Sequence, residues 1–408
     1  MAVRLNEKVI LSFLVMAFWG MFCVSGVAAG VGSLLVDHSC TDLHKIPQSA
    51  VVRAKENLHI AYGHTSHGSQ LIAGMGGANG AGLDYFVSHS PRYGFPSGLY
   101  VWHDGPQAGY LDLDDYAMGG DVGYYPQWLN NTHSYLGSPD PNTGRGTLHS
   151  DVNVIIWSWC GQVSGRTEQE MIDTYLAPMS ALELEYPGII FVYMTGHLDG
   201  SGSAGNLNQR NQQIRAYCRD HGKVLYDFAD IESYDPEGLV NYMALQGNDN
   251  CDYDSDGNGS RDANWARAWQ SLHTEDVDWW ASGAAHSQDL NGNRKGYAAW
   301  WLWARLAGWD GREFQTVYVD SGAGGDCGGH TPCYRSLQQA LDDSRQNDCR
   351  VCLRQMDLTE NPQIIGPGRV SLEGGWGNGF SAVVGWTAIS GCLTVSGGCA
   401  GIANLILQ

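Results

Sequence analysis

The chain reads as an α/β protein on a parallel sheet, followed by a smaller β-rich appendage, and three observations lead there. Apolar runs of strand length occur at 58–62, 152–157, 189–194 and 224–228. Segments of helical character lie between them, 168–185 and 206–219 among these. Strands that alternate with helices fold as a parallel sheet covered on both faces. After Trp309 the composition changes to Cys, Gly and Ser with short β-rich runs, which sets off residues 316–408 from an α/β domain at 30–315.

The N-terminus carries Arg4 and Lys8, then an apolar run from Val9 to Phe22, then small residues up to Ala29. A basic start, a short apolar core and a small-residue cleavage site make residues 1–29 a secretory signal peptide. The apolar core is short for a membrane span. The formal net charge of the whole chain is −20, and loss of Arg4, Lys8 and Glu7 with the leader makes the mature chain slightly more acidic. Such a surface repels phosphate backbones and argues against a nucleic-acid partner. No other run is long enough to span a membrane. The mature chain is therefore expected outside the cytoplasm: secreted, periplasmic or on the cell surface.

Residues 58–72 read LHIAYGHTSHGSQLI, a strand that stops at Gly63, a turn and the start of a helix. A strand–turn–helix unit lifts a hydroxyl clear of the sheet edge and offers free N–H groups to an anion. Ser66 stands at that turn between His64 and His67. The competing reading is a Ser/Thr helix cap. A second stretch, residues 283–306 (GAAHSQDLNGNRKGYAAWWLWARL), puts His286 on a polar loop ahead of an apolar helix over 297–306. A histidine held on such a loop can accept the proton of a serine nucleophile.

These two stretches resemble the SGNH (GDSL-like) hydrolase superfamily over residues 57–309. There the serine follows the first strand, and the base histidine opens a loop reading H-x-N-x-x-G-Y into the last helix. His286, Asn291 or Asn293, Gly296 and Tyr297 follow that pattern, whereas His64-Thr65-Ser66 replaces the Gly-Asp-Ser block. The resemblance implies a three-layer, flavodoxin-like parallel sheet and a Ser66–His286 dyad. The family's acid three residues before the base is Gly283 here, which leaves a backbone carbonyl, Asp276 or Asp278 to orient the imidazole. The resemblance also implies oxyanion donors. Donors aimed at developing charge are worth about 3 kcal/mol each, so some must be present. Gln162 is the nearest carboxamide to the family's asparagine, and Gly123 is chosen among Gly119, Gly120 and Gly123 for the second block.

Ser66, Gln162 and His197 each follow an apolar run, and parallel sheets gather their sites at such strand ends. His197 is assigned to substrate orientation or hydrogen-bond donation, against a plain loop histidine. His64 is placed beside the substrate, and His64 with His67 forms an H-x-x-H pair that could hold a metal.

Residues 252–265 read DYDSDGNGSRDANW, and Asp254, Asp256, Asn258, Ser260 and Asp262 fall on alternate positions of an EF-hand-like loop turned at Gly259. Oxygen ligands in that pattern wrap a hard cation, so a structural Ca2+ is expected; the alternative is a solvated acidic turn. Trp265 stands where an EF-hand has its bidentate Glu.

Ten of the 11 cysteines lie beyond the leader, which fits disulfides formed in an oxidising compartment. Cys327/Cys333 and Cys392/Cys399 are local pairs, Cys349-x-x-Cys352 allows a strained bridge or a zinc site, and Cys40, Cys160, Cys218 and Cys251 could form two long-range bridges, with Cys160 alternatively a buried thiol. A helix at 334–344 and short runs at 369–373, 388–390, 393–395 and 402–407 suggest the rungs of a parallel β-helix. The wording of 372–376 and 403–407 resembles the start of β-helix domains in bacterial surface proteins. Its β-rich edge would pack on the α/β domain or on a partner.

The functional expectation is a secreted serine esterase acting on small O-acyl esters, acetyl foremost, carried on carbohydrate, without an organic cofactor. Two rivals stand beside it: a non-catalytic extracellular carbohydrate-binding or surface protein, and a metal-dependent hydrolase.

Overall fold

The computed structural model describes residues 33–311, 315–322, 324–344, 349–365, 369–396 and 399–408. They form two compact units divided after Gly311. The expected leader lies outside the described residues, and no described helix is long and apolar enough to cross a membrane.

The first unit is built on seven parallel strands: β1 (Leu34–Val36), β2 (His59–Gly63), β3 (Trp102–His103), β4 (Leu111–Met118), β5 (Val154–Trp157), β6 (Ile190–Met194) and β7 (Val224–Tyr226). Their order is β1-β7-β6-β5-β2-β4-β3. Counted from β2, the five inner strands run 2-1-3-4-5, the order of one doubly wound sheet class, with β1 and β3 added at the edges. The winding reverses between β2 and β5, which are direct neighbours (Ile60 opposite Val154, Gly63 opposite Trp157). In doubly wound sheets the loops leaving two such strands diverge to opposite faces, and the C-terminal edge between them is the place for a crevice and a site.

Side-chain alternation shows that the sheet is covered on both sides. Tyr226 of β7 donates its hydroxyl to the Lys295 carbonyl on the helix Asp289–Leu306. In register with Tyr226 is Met194, so the preceding Tyr193 points the other way, where its hydroxyl meets Ser180 on the helix Ala177–Glu185. Full burial on two faces is why β5 is apolar at every position. Two edge-proximal strands escape a reading based on apolar runs. β4 (LDLDDYAM) alternates acids with apolar residues, and β1 has only three residues.

The helix at 168–185 forms with a widened turn at Ile172–Leu176, just ahead of Pro178, which has no N–H to give to the preceding turn. A larger difference concerns the last helix. It begins at Asp289, so the Asn- and Gly-rich residues 291–296, expected as loop, are helical and buried. Several polar groups there have partners, whereas Asn291 Oδ1 and Arg294 Nε are buried without one. The Asn293 carboxamide bonds the Trp280 backbone in both directions (3.0 Å each), Asn291 donates to Ser287 Oγ (2.7 Å), and Lys295 is ion-paired with Glu232. Gly292 and Gly296 let the helix Ser69–Gly74 approach to backbone contact at Gly74, where any Cβ would strike main chain.

The second unit stacks strands in parallel. Cys333–Tyr334, Gln315–Val319, Cys349–Arg354, Arg369–Trp376 and Cys399–Ala403 make the longest sheet. Asp357–Leu358, Thr387–Ile389 and Leu405–Leu407 make a second, and Gln363–Ile364 with Thr394–Val395 a third. Two successive passes of the chain thus visit the three stacks in the same order. Their inward residues, Val351, Leu353, Leu358, Ile364, Leu372 and Ile389, form one core with Leu337 and Leu341 of the helix Leu337–Ser344.

Candidate active site

At the winding reversal the segments that follow β2 and β5 are pressed together. Ser158 N donates to Gly63 O (2.9 Å), and the Tyr62 hydroxyl donates to Gly68 O (3.0 Å). Gly68 has no room for a side chain, because a Cβ would meet Ser158 Oγ, His64 and the Tyr62 hydroxyl. This packing sets His67, just before Gly68, beside Cys160, three residues beyond β5.

His67 Nδ1 lies 3.2 Å from Cys160 Sγ, and its Nε2 lies 3.0 Å from Asp249 Oδ2. A thiol, an imidazole and a carboxylate therefore stand in line, each imidazole nitrogen committed to one partner. Asp249 is held in turn by its own N–H, which donates to Leu198 O (3.1 Å). Burial resists ionisation of Cys160, but hydrogen bonds from His67 and Thr65, the His67 charge and the Gly161 N–H outweigh it and lower the thiol pKa. Burial also works against the charged form of His67, yet bonding to Asp249 and Cys160 wins and raises its pKa. The Asp249 pKa is lowered despite burial, by the His67 bond and by the nearby imidazoles. Opposite shifts on thiol and imidazole favour a thiolate–imidazolium pair, which is the activated form of a cysteine nucleophile.

Two further imidazoles adjoin. His197 stacks on His67 with ring centroids 3.7 Å apart and planes within 2°. Burial first, then the His67 charge, lowers the His197 pKa, so this ring stays neutral beside a charged one. Its Nδ1 lies 2.9 Å from Leu198 O, which makes Nδ1 the donor and leaves a lone pair on Nε2. His286, exposed and with φ +60°, stacks on His67 at 4.7 Å.

Beneath the site lies a fully buried ion pair, Lys295–Glu232 (2.6 Å). Glu232 accepts the Leu198 N–H, and Lys295 donates to Gln70, whose amide donates to Ala285 O (2.6 Å). The pair thereby ties down the loops that carry His197 and His286.

The residues expected from sequence have distinct fates. Ser66 and His286 reach the crevice, but no hydrogen bond joins them. Ser66 Oγ lies 4.0 Å from Cys160 Sγ, and the His286 ring lies against that of His67. Asp278 pairs with Arg92 (2.9 Å), and no bond from Asp276 or Asp278 reaches His286. Gly123 and Gln162 do come together, since a Cβ on Gly123 would strike the Gln162 carboxamide. The Gly123 N–H is taken by Asp121 Oδ1 (2.9 Å), and Gln162 Oε1 accepts the Cys160 N–H (3.1 Å). His64 is buried and turned to β4, its Nε2 2.6 Å from Asp115. The H-x-x-H pair is therefore split between two environments and is not a shared ligand set.

Sequence reasoning did not bring together Cys160, His67 and Asp249, which the fold places in one hydrogen-bonded line. A Cys three residues after a buried strand, beside Gly161, was the available signal for Cys160. Asp249 sits in an Asn/Asp-rich stretch that carries none. Cys160 is a free thiol, as are Cys40, Cys218 and Cys251, so the two long-range bridges do not form. Cys327 and Cys333 are bonded. Cys352 carries a free thiol, and the Cys399 side chain lies outside the described residues.

Metal-binding geometry is found away from the expected loop. One ligand atom each from His67, His197 and Asp249 lies within 4.8 Å of the others. Asp254, Asp256 and Asp262 are not among the described groups that gather three such atoms. Asp254 instead accepts the N–H groups of Gly257, Asn258 and Gly259, and Asp262 that of Ser255 (3.0 Å), while Asn258 bonds Asp256 and Ser260 N donates to Asn258.

Comparison with known proteins returns nothing for this chain: no family model, no curated protein and no solved structure matches it.

Proposed function

We propose that this protein is a secreted acyl-ester hydrolase that works through Cys160, with His67 as general base and Asp249 as its orienting acid. The single observation that carries the reading is the line Cys160 Sγ–His67 Nδ1 (3.2 Å), His67 Nε2–Asp249 Oδ2 (3.0 Å) at the reversal of the sheet winding. In the first step the thiolate attacks the ester carbonyl, and the imidazolium gives its proton to the departing alkoxide. In the second, His67 takes a proton from water as it attacks the thioester, releasing acid and thiolate. We assign the developing oxyanion to the Gly161 N–H, which bonds Sγ, and to the Gln162 NH2, whose companion Oε1 accepts the Cys160 N–H.

Esters borne on carbohydrate are the preferred substrates. Tyr116, Tyr124 and Tyr125 expose their rings close to this edge, Tyr116 tilted against His64 and the other two directly after Gly123. Exposed tyrosines give sugar rings an apolar face to lie on. The SGNH resemblance, the bonded Cys327–Cys333 pair and the acidic charge support an extracellular hydrolase. We read the second unit as a short parallel β-helix and keep the 252–265 loop as a Ca2+ site of structural kind.

The serine reading is the rival, favoured by the placement of Ser66 in the turn three residues after β2. Hydrolysis of p-nitrophenyl acetate by Cys160→Ala and Ser66→Ala variants separates the two. The thiol mechanism expects loss in the first and substantial retention in the second.

A further inference from the structure

We infer that the crevice is also an inhibitory binding site for a borderline divalent metal, zinc foremost, held by His67 Nε2, His197 Nε2 and the Asp249 carboxylate. The inference concerns the site proposed above but rests on the donor geometry, which exists whether or not the thiol is catalytic. Three donors from three separate segments converge, with ligand atoms within 4.8 Å of one another. Two imidazoles and a carboxylate are a donor set that zinc takes with one position left open.

Each ligand has support behind it, and His197 must turn out of its face-to-face stack on His67 to bring both Nε2 lone pairs onto one ion. His197 Nδ1–H donates to the Leu198 carbonyl, which fixes the tautomer and leaves Nε2 free to bind. That outer hydrogen bond is the usual support of a metal-bound imidazole. His67 has the matching support from the opposite side, because its Nδ1 faces Cys160 Sγ at 3.2 Å. Asp249 is anchored through its own backbone to the same Leu198 carbonyl. Leu198 is in turn fixed by the buried Glu232.

Metal binding and base catalysis exclude each other at His67. A metal on Nε2 displaces the proton shared with Asp249 and releases it to solvent. The ring then keeps its single remaining proton on Nδ1, pointed at the Cys160 sulfur. With both nitrogens filled, the imidazole has no lone pair to take a proton from water. Asp249 is consumed as a ligand at the same time. No redox change is involved, and removal of the metal restores the pair.

The test is a titration of the full chain with zinc chloride alone, after chelation and re-equilibration in calcium. Three readouts are followed together: zinc stoichiometry by calorimetry, hydrolysis of p-nitrophenyl acetate, and the rate of iodoacetamide labelling at Cys160. The expected result is one zinc per chain, hydrolysis falling in step with occupancy, and full recovery on chelation. His197→Phe keeps a ring stacked on His67 without the donor atom, and should weaken zinc binding by at least about tenfold. Cys160→Ser should still bind zinc, because the sulfur is not a ligand. Absence of zinc binding, or equal binding by His197→Phe, would overturn the proposal. Hydrolysis that rises with zinc would overturn it too, since the metal would then be catalytic. Should the chain hydrolyse no ester at all, stoichiometry and the His197→Phe comparison still decide the metal site, so the two readings fail separately.

Discussion

At the scale of single residues, the proposed chemistry rests on Cys160, His67 and Asp249, and each makes a distinct prediction. Removing the nucleophile by Cys160→Ala should lower ester hydrolysis by about 10³-fold or more. Asp249→Asn leaves the shape but loses the charge that holds the imidazolium, and should cost at least about 10²-fold. Steady-state kinetics on folded variants checks both. The pH dependence follows from the shifts. The Cys160 pKa is lowered, so its reactivity toward iodoacetamide should persist below the ~8.5 midpoint of a free thiol and fade as pH falls through the lowered value. The His67 pKa is raised, so the ion pair is lost on the alkaline side as that ring gives up its proton. His67→Ala should move the labelling midpoint upward, and an unchanged midpoint would remove the thiolate–imidazolium pair from the account. The neighbourhood of this site was legible in the sequence, since 64–68, 160–162 and 197 all follow buried strands. Which hydroxyl or thiol meets which imidazole was not, because the side-chain direction of His67 is set by the close packing of Gly68 on Ser158. Asp249 comes from a loop 182 residues further on, and only the folded backbone brings it near.

At the scale of elements, the last helix organises the site from below. Its sequence, with two glycines, two asparagines and adjacent Arg294 and Lys295, contradicts the apolar stripe expected of a core helix, which is why its first two turns read as loop. Asn291, Asn293 and Lys295 are hydrogen-bonded there, and breaking the Lys295–Glu232 pair would leave a buried charge without its partner. Lys295→Met leaves Glu232 buried without its cation and should destabilise the protein by about 3–5 kcal/mol, whereas Lys295→Met with Glu232→Leu should recover part of that loss. Chemical denaturation of the single and double variants measures it, and a single variant as stable as wild type would contradict the role given to the pair. The loop 252–265 is a second element with its own prediction. The antiparallel strands Asp252–Tyr253 and Ala263–Asn264 close it, and its carboxylates cap its own backbone. If it binds Ca2+ in the folded state, calcium should raise the melting temperature, and Asp254→Ala should abolish that rise. A melting curve indifferent to calcium after chelation would leave an acidic turn.

At the scale of the whole molecule, the two units differ in what holds them. The first buries a continuous core that includes Trp157, Trp300 and Trp303. The second has the smaller core around Val351 and Leu372 and a disulfide closing a six-residue separation. Constraining a loop of that length stabilises by about 2 kcal/mol, so a Cys327→Ser/Cys333→Ser variant should unfold its second unit at lower temperature while ester hydrolysis is unchanged. Every residue assigned to the chemistry lies between Thr65 and His286, which is why activity and this stability should separate. The parallel sheet was legible from its central strands because burial on both faces forces unbroken apolar runs. β1, β3 and β4 were not, because edge strands and a strand carrying Asp112 and Asp114 lack that signature. The measurement that bears most directly on the central claim is the site of acylation. Protein quenched in acid during turnover of p-nitrophenyl acetate should yield, on peptide mass mapping, an acetyl group on Cys160. Acetyl found on Ser66 with Cys160 unmodified would contradict it.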